Sequence, residues 1–214
     1  PLWLVLISLC TLVSLLGLYA LRPLDDNRLP SWWWVFEGVA PFTFLLLLFA
    51  GIALAYGISR LTVRGSAVMW LLFIASFLVV ASSWQQPEVI VDAARHFMQA
   101  KYLALHGVGN FFAAWGNDIA AWTDLPLAPL LHGVIFQVFG ESRLAIQIFT
   151  SLLFSATVVL TYLIGKTLWS RDLGLFAGIL LLGMPYLLAQ VPLMMVDVAA
   201  MFFLTLAVLA TIAA

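Results

Sequence analysis

Asp92 and Asp197 are the side chains best placed for chemistry, because each carboxylate stands among apolar neighbours at the edge of a hydrophobic run. The first lies in Pro87-Glu88-Val89-Ile90-Val91-Asp92-Ala93-Ala94-Arg95-His96 and the second in Pro192-Leu193-Met194-Met195-Val196-Asp197-Val198-Ala199. An ionised carboxylate at the end of a membrane span costs a few kcal/mol unless it is paired or hydrated, so such residues are functional candidates by default. The plainer reading is a helix cap, since Asp favours that position and stabilises the positive end of the helix. Two such carboxylates on one face of a membrane can share a cavity. One then takes the proton of an acceptor hydroxyl or amine, and the other orients the acceptor, holds a cation or stabilises a sugar-like transition state. Transfer of a sugar from a lipid phosphate requires such a pair at the membrane surface, because the donor head group lies there while its tail stays in lipid.

Other polar residues have simpler explanations. Asp124, before Leu125-Pro126-Leu127-Ala128-Pro129, caps or turns into a short helix. His96, His106 and His132 lack metal-ligand spacing, so no metal site is expected from them. Arg95 and Lys101 suit a phosphate or the solvated face of a surface helix. Arg95, Gln99 and Tyr102 follow helical spacing, as do Phe97, Ala100 and Ala104, which predicts a half-buried helix interrupted or ended by Gly107, Gly109 and Gly116. No phosphate-binding glycine loop, nucleophile elbow or zinc signature is present. No cofactor is expected, although a divalent cation at the carboxylates is compatible with the pattern.

The elements that position these residues are membrane spans. Of the 214 residues, 64% are hydrophobic and only 9% charged, against about 25% charge in soluble domains. The net charge of −1 offers no basic field for nucleic acid. The single cysteine, Cys10, sits in an apolar run and reads as a packing residue. Nine tryptophans, several near the ends of runs, suit an interfacial belt. Apolar runs cover residues 2–21, 38–58, 67–81, 145–165, 173–189 and 196–214, giving about six spans at roughly 20 residues each. The first run is too long for a signal-peptide core and no small-residue cleavage site follows it. Residues 125–140 form a shorter run that reads as re-entrant or interfacial.

Orientation follows from cations in short loops. Arg60 and Arg64 lie in one loop, Lys166 and Arg171 in another. Placing both on the cytoplasmic side keeps residues 125–140 outside, makes 85–143 one large external loop with short juxtamembrane helices, and returns Pro192 and Asp197 to the outer face. The expected fold is therefore all-α: a polytopic transmembrane bundle in a cell membrane, with both termini cytoplasmic. Because the chain opens with Pro1 and stops at Ala214 inside an apolar run, a processed or partial chain is expected.

From about Ser66 onward the chain resembles the membrane-embedded C-type glycosyltransferases, in the branch of dolichyl-phosphate-mannose protein mannosyltransferases and aminoarabinose transferases. The resemblance rests on the order of several short stretches: Val91-Asp92-Ala93-Ala94-Arg95, Thr123-Asp124-Leu125-Pro126-Leu127-Ala128-Pro129-Leu130, Val138-Phe139-Gly140-Glu141-Ser142-Arg143, Leu163-Ile164-Gly165-Lys166-Thr167-Leu168-Trp169, Met184-Pro185-Tyr186 and Val196-Asp197-Val198. It implies a polyprenyl-phosphate sugar donor, Asp92 as base or acceptor-orienting group, and Asp197 as second acid of an external site. Glu88, Arg95, Lys101 and Asp124 are the expected substrate-binding residues. The sequence departs from the family at two places. Paired acids are usual at the first site, whereas here Glu88 is the nearest second acid to Asp92. A Lys usually follows the Asp of the Pro-rich stretch, and here it is Leu125, which leaves the donor phosphate to Arg95 or Lys101. The resemblance divides the chain into two additional N-terminal helices (1–65) and a glycosyltransferase-like core (66–214) that is truncated at its C-terminus.

Two further readings compete. A non-catalytic membrane subunit with this fold would have membrane-protein partners in a larger complex. A transporter for lipid-linked substrates would need acids lining a path through the bilayer, whereas Asp197 and Glu37 sit near span ends.

Overall fold

The computed structural model describes residues 67–82, 84, 91–121, 125–182 and 185–214, with Phe49, Ala53 and Tyr56 as isolated positions. The two N-terminal runs, Glu88 and Asp124 lie outside the described residues. Every element named below belongs to the unit Val63–Ala214. Among the described residues the protein is all-helical: α1 (Ala67–Ala81), α2 (Val91–Ala114), α3 (Leu127–Phe139), α4 (Arg143–Leu168), α5 (Arg171–Leu182), α6 (Pro185–Gln190) and α7 (Val196–Ala213).

The central helix is α4, against which α1, α5 and α7 pack. It begins where Ser142, in extended conformation, caps it by accepting from the Ala145 N–H at 3.1 Å. This cap carries the helix back to Arg143, just ahead of the expected apolar run at 145–165. Three buried hydroxyls of α4 are satisfied within it: Thr150, Ser155 and Thr157 donate to the carbonyls of Ile146, Ser151 and Leu153, so these groups need no water inside an apolar bundle.

Residues packing α5 on α4 are small. A Cβ on Gly174 would run into the Tyr162 carbonyl oxygen, and one on Gly165 would come within 2.6 Å of the Gly174 Cα. Close backbone approach of this kind is how helices associate where lipid offers no hydrophobic drive.

Among the described residues two helices, α4 with 26 residues and α7 with 18, are long and apolar enough to cross a membrane. At 1.5 Å per residue they reach about 39 and 27 Å. Only Val198 and Ala199 of α7 are buried, while Leu204 and Val208 are exposed, a surface suited to lipid rather than water.

The run at 173–189, expected as one span, is helical over Arg171–Leu182 (α5) and Pro185–Gln190 (α6), with residues 183–184 outside the described residues. The described part of α1 is 15 residues, about 22 Å, and residues 61–66 ahead of it lie outside the described residues.

The helix pair α2–α3 packs tightly upon itself and touches α4 through α3. Gly133 allows this approach, since a Cβ there would meet Leu103 Cβ at 2.8 Å and the Ala100 carbonyl at 2.9 Å. Within α2, Gly107 breaks helical geometry at φ 81°, ψ 166°, a conformation open to glycine.

Candidate functional site

Three hydrogen bonds of Trp84 and one apolar cluster place the beginnings of α4 and α7 at one end of the bundle. Trp84, just past α1, accepts from Arg143 Nη2 at 3.0 Å and Gln147 Nε2 at 2.9 Å, and its Nε1–H donates to Ser151 Oγ at 3.1 Å. The C-terminal end of α1 is thus held against the first turns of α4. Met194, in the segment leading to α7, joins Ala100 of α2, Phe136 of α3 and Ile146 of α4 in one apolar cluster. The start of α7, the start of α4, the end of α1 and the α2–α3 pair therefore gather at the same end. Lys166 and Arg171 lie at the other end, where α4 turns into α5.

Asp197 occupies the first turn of α7. It is not the cap: that position belongs to Met195, which makes no side-chain capping bond. The carboxylate is exposed and lines a mainly apolar groove of about 200 Å³ with Leu187, Gln190, Val198 and Met201. Gln190, the last residue of α6, brings an amide to the same groove.

Asp92 lies in the first turn of α2, with half of its side-chain surface exposed, and its Oδ1 pairs with Arg95 Nη1 at 3.2 Å one turn on. Lys101 Nζ lies 2.8 Å from Glu141 Oε2, between α2 and the α3–α4 turn. Both cations expected to meet a donor phosphate thus already hold carboxylates. Partly exposed pairs of this type are worth about 0–1 kcal/mol, little enough for an anionic phosphate to displace. Among the described residues, no cluster of three or more His, Cys, Asp or Glu side chains is arranged to hold a metal ion.

Beneath these groups runs a buried polar chain that the sequence reading did not single out. His96, on the buried face of α2, donates from Nδ1 to Gln99 Oε1 at 3.2 Å, and Gln99 Nε2 donates to the Ala120 carbonyl at 2.9 Å. Gln99, which helical spacing groups with Arg95 and Tyr102, is buried. On α3, His132 is buried and donates from Nδ1 to the Ala128 carbonyl at 2.9 Å. A carbonyl only accepts, so Nδ1 carries the hydrogen and Nε2 is a bare lone pair. That atom is buried without a hydrogen-bond partner, and the ring meets Phe149 edge-on at 5.2 Å. Burial holds the His132 pKa below the ordinary histidine value, against the raising effect of the Ala128 bond, and His96 lowers it further. His132 is therefore neutral at pH 7.

Residues 124–214 match the family model of the dolichyl-phosphate-mannose-protein mannosyltransferases. The match covers somewhat under half of the chain, running from the Pro-rich stretch through α3 to α7, and includes Asp124 and Asp197. It bears out the glycosyltransferase resemblance over that C-terminal part; Glu88, Asp92, Arg95 and Lys101 precede it. No curated protein and no solved structure matched the chain. The mannosyltransferase-like part thus contains both helices able to cross a membrane and the Asp197 groove, which makes the chain membrane-associated and glycosyltransferase-like in kind.

Proposed function

We propose that the chain acts as a membrane glycosyltransferase that moves a sugar from a polyprenyl-phosphate donor at the bundle end where α4 and α7 begin. The observation that carries this reading is the coincidence of the mannosyltransferase match with the Asp197 groove at that end. A groove with apolar walls and one carboxylate suits a substrate whose tail is hydrocarbon and whose reacting centre is polar.

In the proposed reaction an acceptor hydroxyl attacks the anomeric carbon of the donor. The C–O bond to phosphate breaks and the lipid phosphate leaves with the bonding electrons. The acceptor proton passes to a carboxylate, with Asp92 as base and Asp197 orienting the acceptor or stabilising positive charge on the sugar. Lys101 and Arg95 would exchange their carboxylate partners for the donor phosphate. About six spans, with Lys166 and Arg171 cytoplasmic, would put this end on the outer face of a cell membrane.

The test is transfer from a radiolabelled polyprenyl-phosphate sugar by the purified chain in lipid. Asp92→Asn and Asp197→Asn should each abolish transfer while leaving folded protein; transfer that survives both changes overturns the reading. One observation favours a second reading, a non-catalytic subunit: Asp92 lies outside the matched residues and is already paired with Arg95. That reading expects stable co-purification with partner spans and no transfer by the unaltered chain.

A further inference from the structure

A second depression lies on the C-terminal half of α2, away from the carboxylate pair. Its volume is about 210 Å³ and its walls are Tyr102, His106, Asn110, Ala113, Ala114 and Asp118. At roughly 30 Å³ per water this is room for about seven waters, or one six-membered ring with its hydroxyls.

Two local features shape it. The rings of Tyr102 and His106 lie against each other with centroids 4.4 Å apart and a 46° tilt, giving a floor of two inclined aromatic faces. The rim is a tight turn after α2, in which Gly116 adopts φ 82° and the Gly116 and Ile119 N–H groups donate to the Ile119 and Ala114 carbonyls at 3.0 Å. That turn carries Asp118, which lines the depression. Asn110 is fixed, because its Nδ2 donates to the His106 carbonyl at 2.8 Å.

The donor and acceptor inventory selects the ligand. Asp118 offers only acceptors, Asn110 a free acceptor oxygen and one remaining N–H, and Tyr102 and His106 both roles. No Lys or Arg lines the depression, so it does not suit a phosphate. Its apolar wall is limited to two alanines, too little for a hydrocarbon tail. A metal would find just two strong ligand types, His106 and Asp118. A neutral sugar ring matches all of these: its C–H face lies on an aromatic floor whose π-surface is negative, and its hydroxyls meet a carboxylate, an amide and an imidazole.

We propose that Tyr102, His106, Asn110 and Asp118 form a binding site for a single neutral sugar ring, separate from the carboxylate pair and independent of whether the chain transfers sugar. The test is saturation-transfer NMR on the full chain in detergent, with the methyl glycosides of mannose, glucose and galactose as millimolar probes. Saturation transfer to the ring protons of at least one probe is expected. It should fall at least fivefold in Asp118→Asn and in His106→Ala, both exposed positions, and persist in Asp197→Asn. No transfer to any probe, or transfer unchanged in both pocket variants, overturns the proposal. So does transfer lost in Asp197→Asn but kept in Asp118→Asn, which would move the sugar to the α7 groove.

Discussion

Asp92 and Asp197 both sit in the first turn of a helix at the same end of the bundle, yet their surroundings differ. Asp92 belongs to a surface-type helix and has a guanidinium one turn away. Asp197 opens an apolar helix, has no ion-pair partner among the described residues, and borders a groove completed by Leu187 and Gln190 from another helix. A carboxylate with a neighbouring cation explains itself as local electrostatics. One set beside an apolar wall with only an amide near it is harder to justify by stability, because helix-dipole attraction is worth only about 0.3–1 kcal/mol at an exposed site. The contrast points to Asp197 as the residue retained for chemistry. In the proposed reaction Asp92 would serve only once its pair with Arg95 opens.

Substitutions at the two acids sharpen this contrast most. Asp197→Asn should lower transfer by about 100-fold or more, the usual contribution of a positioned acid–base group, with little effect on thermal stability. Arg95→Ala should raise the KM for the donor more than it lowers kcat, because the proposed reaction gives Arg95 the donor phosphate to hold; an unchanged KM would leave Arg95 a partner of Asp92 rather than of the donor.

Packing gives the next largest effect. Gly174→Ala should destabilise the α4–α5 hairpin by about 1–3 kcal/mol, as overpacking does, measured by thermal unfolding in detergent. An unchanged melting temperature would contradict the close backbone approach described above.

His132 supplies a pH signature. Its folded pKa lies below the unfolded value of about 6.5, so at lower pH the unfolded chain binds more protons. The stability associated with neutral His132 is complete above pH 6.5 and is lost as pH falls below that value toward the folded pKa. Melts between pH 7.5 and 5 should show acid destabilisation that is smaller in His132→Gln. The smallest effect belongs to Lys101→Ala, where a partly exposed pair predicts a loss within about 1 kcal/mol; a larger loss would show that the pair anchors α2 to α4.

Apolar periodicity made much of the described fold readable. The run at 196–214 corresponds to α7, and the apolar face of Phe97, Ala100 and Ala104 packs against the cluster that joins α2 to α3 and α4. Gly107 was visible as an interruption, because few residues other than glycine adopt its conformation. Gly109, expected to act likewise, continues the helix. The burial of Gln99 was not read, because its acceptor, the Ala120 carbonyl, arrives from a distant turn that spacing does not reveal. The Asp197 groove was hidden for the same reason: the acid stood out by type, but Gln190 became its neighbour only through the short helix α6. The depression at Tyr102 and Asp118 depends on the turn at Gly116, and neither spacing nor composition pointed to it.

The central claim is that Asp92 and Asp197 serve one site, and a cross-link tests it most directly. In a Cys10→Ser background, Asp92→Cys and Asp197→Cys are combined and treated with a thiol-reactive linker of about 10 Å, near the upper span between paired glycosidase carboxylates. The account predicts an intramolecular cross-link in folded protein, with both thiols labelled by a membrane-impermeant maleimide from the same side of sealed vesicles. Thiols that label from opposite sides, or that both label yet never cross-link, would contradict it.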